Sequence, residues 1–310
     1  MAGYLFNHYT FKVLTSKLGS VDPGSVGVLI GQRLAASGIR ELAVEVENLG
    51  FGACWFGEGL GREAFTQAAV LLAATRSLVV GTSIANVYVR DAVAARNAAN
   101  TLAEAWPDRF VLGLGVSHRP YVESRGHAYV GAATRMRQFL DAFATAPAYT
   151  AVPPDQAPPT VLAALGPRML HLARERTSGA ISFLVDTAGT AEARRILGAD
   201  RYLGVIVPVA LAGSTVRARQ VGGAILSQHL TMPVYRANLS RLGYGAKDLA
   251  GGGSDRLFDA VVQWGDAARV AAKVRDYLEA GADHVAINVS TPPNQSPIRE
   301  LAALASYLIG

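Results

Sequence analysis

The stretch LVVGTSIANVYVRDAVAARNAANTLAEAWPDRFVLGLGVSH, residues 78–118, decides the fold. It opens and closes with near-continuous apolar runs, residues 78–84 and 109–115, which are typical of parallel strands buried on both faces. Between these runs, residues 91–106 carry apolar side chains at helical spacing, and Asp91 can cap the first turn of the helix. The stretch therefore predicts two parallel strands joined by a helix through a right-handed crossover.

This crossover predicts where the polar residues of the stretch lie. Ser83, Ile84 and Asn86 end the first strand, and Ser117 and His118 directly follow the second. Because the strands are parallel, both ends lie at the same edge of the sheet. Ligands of parallel α/β folds bind at this edge, which is formed by the carboxyl ends of the strands, and we therefore expect a ligand site here.

The rest of the chain repeats the alternation of strand and helix. Eight apolar strand segments, each followed by a helix, can be counted between residues 25 and 310. The count predicts the α/β class and a (β/α)₈ TIM barrel, with a helical insertion after strand 7 at about residues 214–264. Residues 1–24 have no clear period and are expected to form an N-terminal extension. A doubly wound sheet would need Gly-x-Gly-x-x-Gly after an early strand, and residues 113–115 supply only its first half.

The composition limits the classes of function. Half of the 310 residues are hydrophobic and the net charge is +5, which allows a sizeable core and favours anionic over cationic small molecules. The basic residues form no cluster interleaved with aromatics, so nucleic acid is not an expected partner. The single cysteine, Cys54, excludes an internal disulfide and an all-cysteine metal site. It lies in an apolar segment, so we predict a buried thiol and no metal centre.

Two further patterns concern location. No apolar run approaches the roughly 20 residues of a membrane helix. The first residues lack the basic-then-apolar pattern of a secretory signal. The sequence therefore predicts no membrane partner and, by default, a cytoplasmic protein.

Three positions at the predicted ligand edge could carry chemistry. His118 could donate or accept a proton near neutral pH, or it could be a loop histidine bonded to backbone. Glu58 ends the second strand and could bond a ring N–H or act as a base, or it could form a rim salt bridge with Arg62 or a neighbour. Arg168 and Gly166 lie at the start of the helix after strand five, where free N–H groups and a guanidinium would hold a phosphate. Arg168 could equally be a solvated surface residue.

Several motifs occur in order over most of the chain after residue 25. They are Glu47-Asn48-Leu49-Gly50-Phe51 with Trp55 and Glu58; Thr82-Ser83-Ile84-Ala85-Asn86 with Asp91; residues 109–118; residues 162–169; residues 251–257; and Ala280-Gly281-Ala282-Asp283-His284-Val285. Together they resemble the luciferase-like monooxygenase superfamily, and in particular its branch that uses the deazaflavin coenzyme F420 and is found chiefly in actinobacteria.

The resemblance implies a cofactor at the carboxyl edge of the barrel. It implies a non-prolyl cis peptide between Ser83 and Ile84, which forms a bulge behind the deazaflavin ring, and a phosphate held near the helix after strand five. The cofactor-binding residues that it implies are Ser83, Ile84, Asn86, Ala164, Leu165, Gly166 and Arg168. It also places His118 near the reactive ring carbon. Relatives that oxidise sugar phosphates carry a carboxylate at that position and a histidine where this chain has Gly59, which disfavours that substrate class.

The resulting hypothesis is an F420-dependent oxidoreductase that transfers a hydride between the deazaflavin and a small, fairly apolar substrate. His118, with Glu58, would handle the proton. The insertion after strand 7 could act as a lid, and the superfamily suggests a homodimer. Two alternatives stay open, namely an FMN-dependent luciferase-like monooxygenase on the same barrel and a non-catalytic flavin- or ligand-binding barrel.

Overall fold

The computed structural model describes residues 17–31, 34–292 and 295–309. In chain order its strands are β1 (Val26–Leu29), β2 (Ala53–Phe56), β3 (Val79–Thr82), β4 (Ala85–Asn86), β5 (Phe110–Gly115), β6 (Thr160–Ala163), β7 (Gly179–Phe183), β8 (Tyr202–Leu211), β9 (Gln263–Gly265) and β10 (His284–Val289). Its helices are α1 (Ala36–Asn48), α2 (Ala64–Ala74), α3 (Ala92–Ala105), α4 (Arg119–Glu123), α5 (Ala132–Ala144), α6 (Pro167–Arg176), α7 (Thr187–Leu197), α8 (Thr215–Leu230), α9 (Pro233–Arg241), α10 (Asp255–Val261), α11 (Ala267–Glu279) and α12 (Ile298–Leu308).

Eight of these strands close into a parallel barrel. The order is β1-β2-β3-β5-β6-β7-β8-β10, and β10 pairs with both β8 and β1, which completes the ring. The two remaining strands are short additions at the carboxyl edge, where β4 pairs with β5 and β9 pairs with β8. The predicted (β/α)₈ TIM barrel is therefore confirmed.

The stretch that predicted the fold forms β3, α3 and β5. Asp91 caps α3, because its side chain accepts a hydrogen bond of 2.8 Å from the N–H of Ala94. The predicted strand at residues 78–84 is shorter than expected, since β3 ends at Thr82 and the chain re-enters the sheet as β4. The short helix α4 follows His118 directly after β5.

The barrel interior is filled by large side chains. Trp55 of β2 is fully buried, and its indole occupies the space beside Gly81 of β3. A Cβ atom at Gly81 would overlap the indole ring, so the residue must be glycine. Tyr202 and Ile206 of β8 complete this inner cluster. The predicted burial of Cys54 is confirmed, and burial raises the pKa of its thiol to about 12.

The described part of the N-terminal extension packs against the barrel. Leu18 and Val21 are buried in the inner cluster, and Lys17 forms a 2.6 Å ion pair with Asp283 at the start of β10. Residues 1–16 lie outside the described residues. The boundary between an extension at residues 1–24 and a barrel domain at residues 25–310 stays a prediction.

The insertion after the seventh barrel strand consists of α8, α9, α10 and β9. The three helices agree with the predicted helical insertion, whereas the strand was not predicted. It has an apolar core of its own. This core includes Leu226 and Leu230 of α8, Leu239 of α9 and Phe258 of α10, and Leu184, which follows β7, joins it. The insertion is thereby packed over the carboxyl end of the barrel.

Candidate active site

A bulge separates β3 from β4 at the carboxyl edge. The peptide bond between Ser83 and Ile84 is cis, as the resemblance implies. The bulge is tied to the loop after β2, because the N–H of Glu58 donates to the carbonyl of Ile84 at 3.0 Å. On the other side of the cis bond, the N–H of Ser83 donates to the carbonyl of Phe56 in β2 at 2.6 Å. Both residues of the cis bond are therefore hydrogen-bonded to β2 or to the loop that follows it.

Two glycines of β5 allow the bulge to lie against the neighbouring strand. A Cβ atom at Gly113 would overlap the carbonyl oxygen of Thr82, and one at Gly115 would overlap the side chain of Ile84. Thr82 also accepts and donates hydrogen bonds with the backbone of Gly113. The two glycines are therefore explained by close packing against the bulge and not by a dinucleotide motif.

Glu58 forms a buried ion pair at this edge. Its carboxylate is paired with the guanidinium of Arg90, with one contact of 2.7 Å. It also accepts backbone N–H groups from Ala64 at 3.1 Å and from Asn86 at 2.7 Å. Because both oxygens are occupied, this geometry favours a salt bridge over proton transfer, and the partner is Arg90 instead of Arg62. Glu58 therefore positions the bulge and the start of α2.

Asn86 and Ser83 occupy different environments. Asn86 is buried, and its side-chain oxygen accepts the N–H of Tyr88 at 3.0 Å, so it braces the turn after β4. Ser83 is half-buried, and its hydroxyl has no hydrogen-bond partner among the described residues. The side-chain Nδ2 of Asn86, like the hydroxyl of Ser83, forms no hydrogen bond within the described part of the chain, so each residue has a polar group to offer a ligand.

His118 lies directly after β5 and precedes α4. Its carbonyl accepts N–H groups from Tyr121 and Val122, each at 3.0 Å, while its ring nitrogens have no hydrogen-bond partner among the described residues. The ring is half-buried, 5.6 Å from the ring of Tyr235 between centroids. Burial lowers the pKa of the imidazole, and the neighbouring His229 lowers this pKa further. His118 is therefore neutral and uncommitted at neutral pH.

An aromatic cluster extends from His118 into the insertion. We define it as His118, Phe183, His229 and Tyr235. His229 of α8 contacts Phe183 at the end of β7 and Tyr235 of α9, with ring centroids 4.9 Å and 4.8 Å apart. Both contacts are edge-to-face, a favourable geometry for aromatic rings. The insertion thus brings two ring side chains, from α8 and α9, to the edge where β5 and β7 end.

The helix start after β6 contains uncommitted backbone donors. Gly166 is the N-cap residue of α6, and the N–H groups of Leu165, Gly166 and Arg168 have no partner among the described residues. A Cβ atom at Gly166 would meet nothing within 4 Å, so the space over the helix start is open. Arg168 is exposed, and within the described ranges its side chain forms no ion pair. These groups fit an anion such as a phosphate.

Ala164 differs from its neighbours at this helix start. It is buried, its N–H donates to the carbonyl of Ile181 at 3.0 Å, and its own carbonyl accepts the hydroxyl of Ser182 at 2.7 Å. Its backbone polar groups are thus committed within the barrel. Ala164 has no free N–H for a phosphate, in contrast to the three residues named above.

The comparisons with known proteins agree with this architecture. The family model described as luciferase-like monooxygenase matches residues 16–284. The chain belongs to the luciferase-like monooxygenase family. A relative from Mycobacterium tuberculosis, provisionally named a coenzyme F420-dependent oxidoreductase, is 32% identical over 102 residues, or 33% of this chain. The matched segment spans only 29% of the length of that relative.

Solved structures share the fold of this luciferase-like chain. An F420-dependent secondary alcohol dehydrogenase, in complex with an F420-acetone adduct, superposes with a TM-score of 0.75 at 13% identity, covering 93% of this chain and 99% of that one. The F420-dependent tetrahydromethanopterin reductase of Methanopyrus kandleri gives 0.71 at 15%, with the same coverage. A Baeyer-Villiger monooxygenase component from Pseudomonas putida, in complex with FMN, gives 0.67 at 14%, covering 91% and 96%. At these identities the likeness concerns the fold alone.

Three residues of the candidate site of this family member were missed in the sequence. Arg90 lies 32 positions after its partner Glu58, and His229 and Tyr235 lie in an insertion far from His118. No local signal identifies these three residues, because their partners are set by the closure of the barrel and the packing of the insertion.

Two further observations concern the described residues of this chain. No group of three or more His, Cys, Asp or Glu side chains is arranged to hold a metal ion. None of the helices combines the length and the apolar composition that crossing a bilayer requires.

Proposed function

We propose that this luciferase-like protein is an F420-dependent oxidoreductase that transfers a hydride between the deazaflavin and a small organic substrate. The observation that carries the proposal is the position of the open helix start at Gly166. It lies at the same carboxyl edge as the bulge and His118, so one elongated cofactor could contact all three. The relative from Mycobacterium tuberculosis favours F420 over FMN.

Different residues at the carboxyl edge would bind different parts of the cofactor. Leu165, Gly166 and Arg168 would hold a phosphate through their N–H groups and the guanidinium. The bulge at Ser83 and Ile84 offers a firm backbone surface, because Glu58 and β5 fix it from two sides. A bound deazaflavin supplies hydride chemistry, in which two electrons move together.

His118 is the group proposed to hold or release the proton that accompanies the hydride. Its ring nitrogens have no hydrogen-bond partner among the described residues, and its lowered pKa keeps it in the neutral form that can accept a proton at pH 7. Glu58 is not proposed for this role, because Arg90 and two backbone N–H groups occupy its oxygens. It would instead hold the bulge in place.

The first test is titration of the purified chain with F420 and with FMN side by side, followed by cofactor fluorescence. We expect saturable binding of F420 that is stronger than binding of FMN. Arg168→Gln is expected to weaken binding roughly 10- to 100-fold, the effect of losing one hydrogen bond to a charged group. Arg40→Gln is the matched control, since Arg40 is exposed on α1, on another side of the barrel.

The outcomes separate the candidate functions. Tight binding of FMN without binding of F420 would replace the proposal with the FMN-dependent monooxygenase. Binding of neither cofactor would overturn both. Binding of F420 with no hydride transfer to any carbonyl or alcohol in a broad screen would favour the non-catalytic barrel.

A further inference from the structure

The orientation of the His229 ring is fixed by its own helix. Its Nδ1 atom lies 2.7 Å from the carbonyl oxygen of Ile225, one turn earlier in α8. A carbonyl oxygen can only accept, so Nδ1 must carry the hydrogen. In the neutral ring Nε2 therefore bears the lone pair, and it points away from the helix backbone. This nitrogen has no hydrogen-bond partner among the described residues.

Two neighbouring rings hold His229 in this orientation. The planes of His229 and Phe183 meet at 76°, and those of His229 and Tyr235 meet at 88°. Phe183 and Tyr235 also contact each other at 90°, with centroids 6.0 Å apart. Each of the three rings is thus fixed by the other two, and Nε2 of His229 is an acceptor of defined position.

Tyr235 brings a hydrogen-bond donor to the same cluster. Its hydroxyl has no partner among the described residues, although the residue is only 8% exposed. Burial raises the pKa of the phenol far above its ordinary value, so the hydroxyl keeps its proton. Beside the uncommitted ring of His118, the cluster therefore presents an acceptor at His229 and a donor at Tyr235.

The cluster carries no charge at neutral pH. Burial lowers the pKa of both imidazoles, and in the described part of the chain neither ring forms an ion pair. Phe183 supplies an apolar surface beside them. A charged ligand would lose its hydration here and gain no counter-ion from these four side chains, which disfavours anions and cations alike.

We propose that the aromatic cluster recognises the hydroxyl group of an uncharged alcohol, which donates to Nε2 of His229 and accepts from the hydroxyl of Tyr235. A hydroxyl group donates and accepts hydrogen bonds at a single oxygen atom, as the pair of His229 and Tyr235 requires. The inference rests on the proposed oxidoreductase function, for which it names the substrate class: the alcohol is the reduced partner of the reaction, whether substrate or product. His229 then joins His118 as a residue that touches the substrate.

The test uses the full chain without cofactor, with its histidines labelled with ¹³C and ¹⁵N. The ring resonances are followed by NMR during titration with four probes of one size: cyclohexanol, cyclohexanone, cyclohexylammonium and cyclohexanecarboxylate. We expect cyclohexanol to shift the His229 ring resonances saturably. Cyclohexanone, which has no donor, should bind roughly 3- to 10-fold more weakly, the effect of one neutral hydrogen bond. The two charged probes should bind more weakly still.

Three variants locate the binding site. His229→Phe keeps an aromatic edge and removes the acceptor, so it should weaken cyclohexanol binding roughly 3- to 10-fold. Tyr235→Phe should weaken it to a similar degree. His171→Gln is the matched control, because His171 is exposed on α6 and should leave the affinity unchanged.

Any of three results would overturn the inference. Cyclohexanol causes no saturable shift up to its solubility limit, a charged probe binds more tightly than cyclohexanol, or His229→Phe leaves the affinity for cyclohexanol unchanged. The outcome is independent of cofactor binding. Alcohol binding without any binding of F420 or FMN would overturn the proposed function and leave the alcohol site standing. Binding of F420 without binding of cyclohexanol would overturn the alcohol site and leave the proposed function standing.

Discussion

Trp55 and His284 share a hydrogen bond inside the barrel, from the indole Nε1 to Nε2 of the imidazole over 2.9 Å. The other ring nitrogen of His284 donates to the carbonyl of Gly24 at 2.7 Å. The two bonds require one neutral tautomer, with the hydrogen on Nδ1. Complete burial lowers the pKa of His284 to about 4. His284 is therefore a structural residue that joins the end of the extension to β2 and β10.

The first prediction concerns acid stability. The folded pKa of His284 lies below its ordinary value of 6.5, so the unfolded chain binds more protons between these two values. The free energy of unfolding should be highest above pH 6.5 and should fall by about 3 kcal/mol as the pH drops to 4. Urea denaturation from pH 4 to pH 8 measures this slope. His284→Gln should flatten it, and an equal slope in that variant would contradict the assignment.

The second prediction concerns the ion pair between Glu58 and Arg90. Glu58→Gln removes one partner of a buried pair, which typically costs about 3–5 kcal/mol. We expect the lower end of that range, since Glu63 still pairs with Arg90 at 2.7 Å. The control is Glu123→Gln, which breaks an exposed pair with Arg119 and should change stability by less than about 0.5 kcal/mol. Equal effects of the two substitutions on the urea midpoint would contradict the prediction that the buried pair contributes more to stability than the exposed pair.

The third prediction contrasts two glycines of the candidate site. Gly115→Ala places a Cβ atom against the side chain of Ile84 and should destabilise the fold by roughly 1–3 kcal/mol. Gly166→Ala places its Cβ atom in open space and should change stability by less than about 0.5 kcal/mol. Thermal unfolding of the two variants in parallel measures the difference. A loss at position 166 as large as that at position 115 would show that the helix start is packed instead of open.

The fourth prediction concerns the coupling between two histidines of the aromatic cluster. His229 lowers the pKa of His118, because two nearby imidazolium charges repel each other. His229→Phe should therefore raise the pKa of His118, which stays below 6.5 because burial still lowers it. An NMR titration of the His118 ring resonances measures this shift. His171→Gln should leave the pKa of His118 unchanged. An unchanged pKa of His118 in His229→Phe as well would show that the two rings do not interact electrostatically and would contradict the prediction.

The sequence predicted the elements well where the signal is local. Asp91 is the N-cap of α3, Cys54 is buried in β2, and the strands and helices alternate as expected. These features follow from apolar periodicity and capping, which depend on neighbouring residues. The short strand β9 was not predicted, because three residues inside an insertion carry too little periodicity.

The candidate site was predicted only in part. The carboxyl edge, the bulge and the helix start at Gly166 were located from strand order and family resemblance, and the positions of Ser83, Ile84 and His118 agree with that location. The role of Glu58 was left open between two interpretations, and the buried contact with Arg90 favours the salt bridge. The assignment of individual residues to a cofactor stays a prediction.

The sequence by itself determined the closed barrel and the edge where a ligand site is expected, because buried strands and amphipathic helices have distinct periods and parallel crossovers have one hand. Only the tertiary structure decided which polar groups meet. Trp55 finds His284 across 229 residues, and His229 approaches His118 only through the packing of α8 and α9. Hydrogen bonds and ring contacts between distant residues depend on barrel closure and core packing, and no local period encodes them.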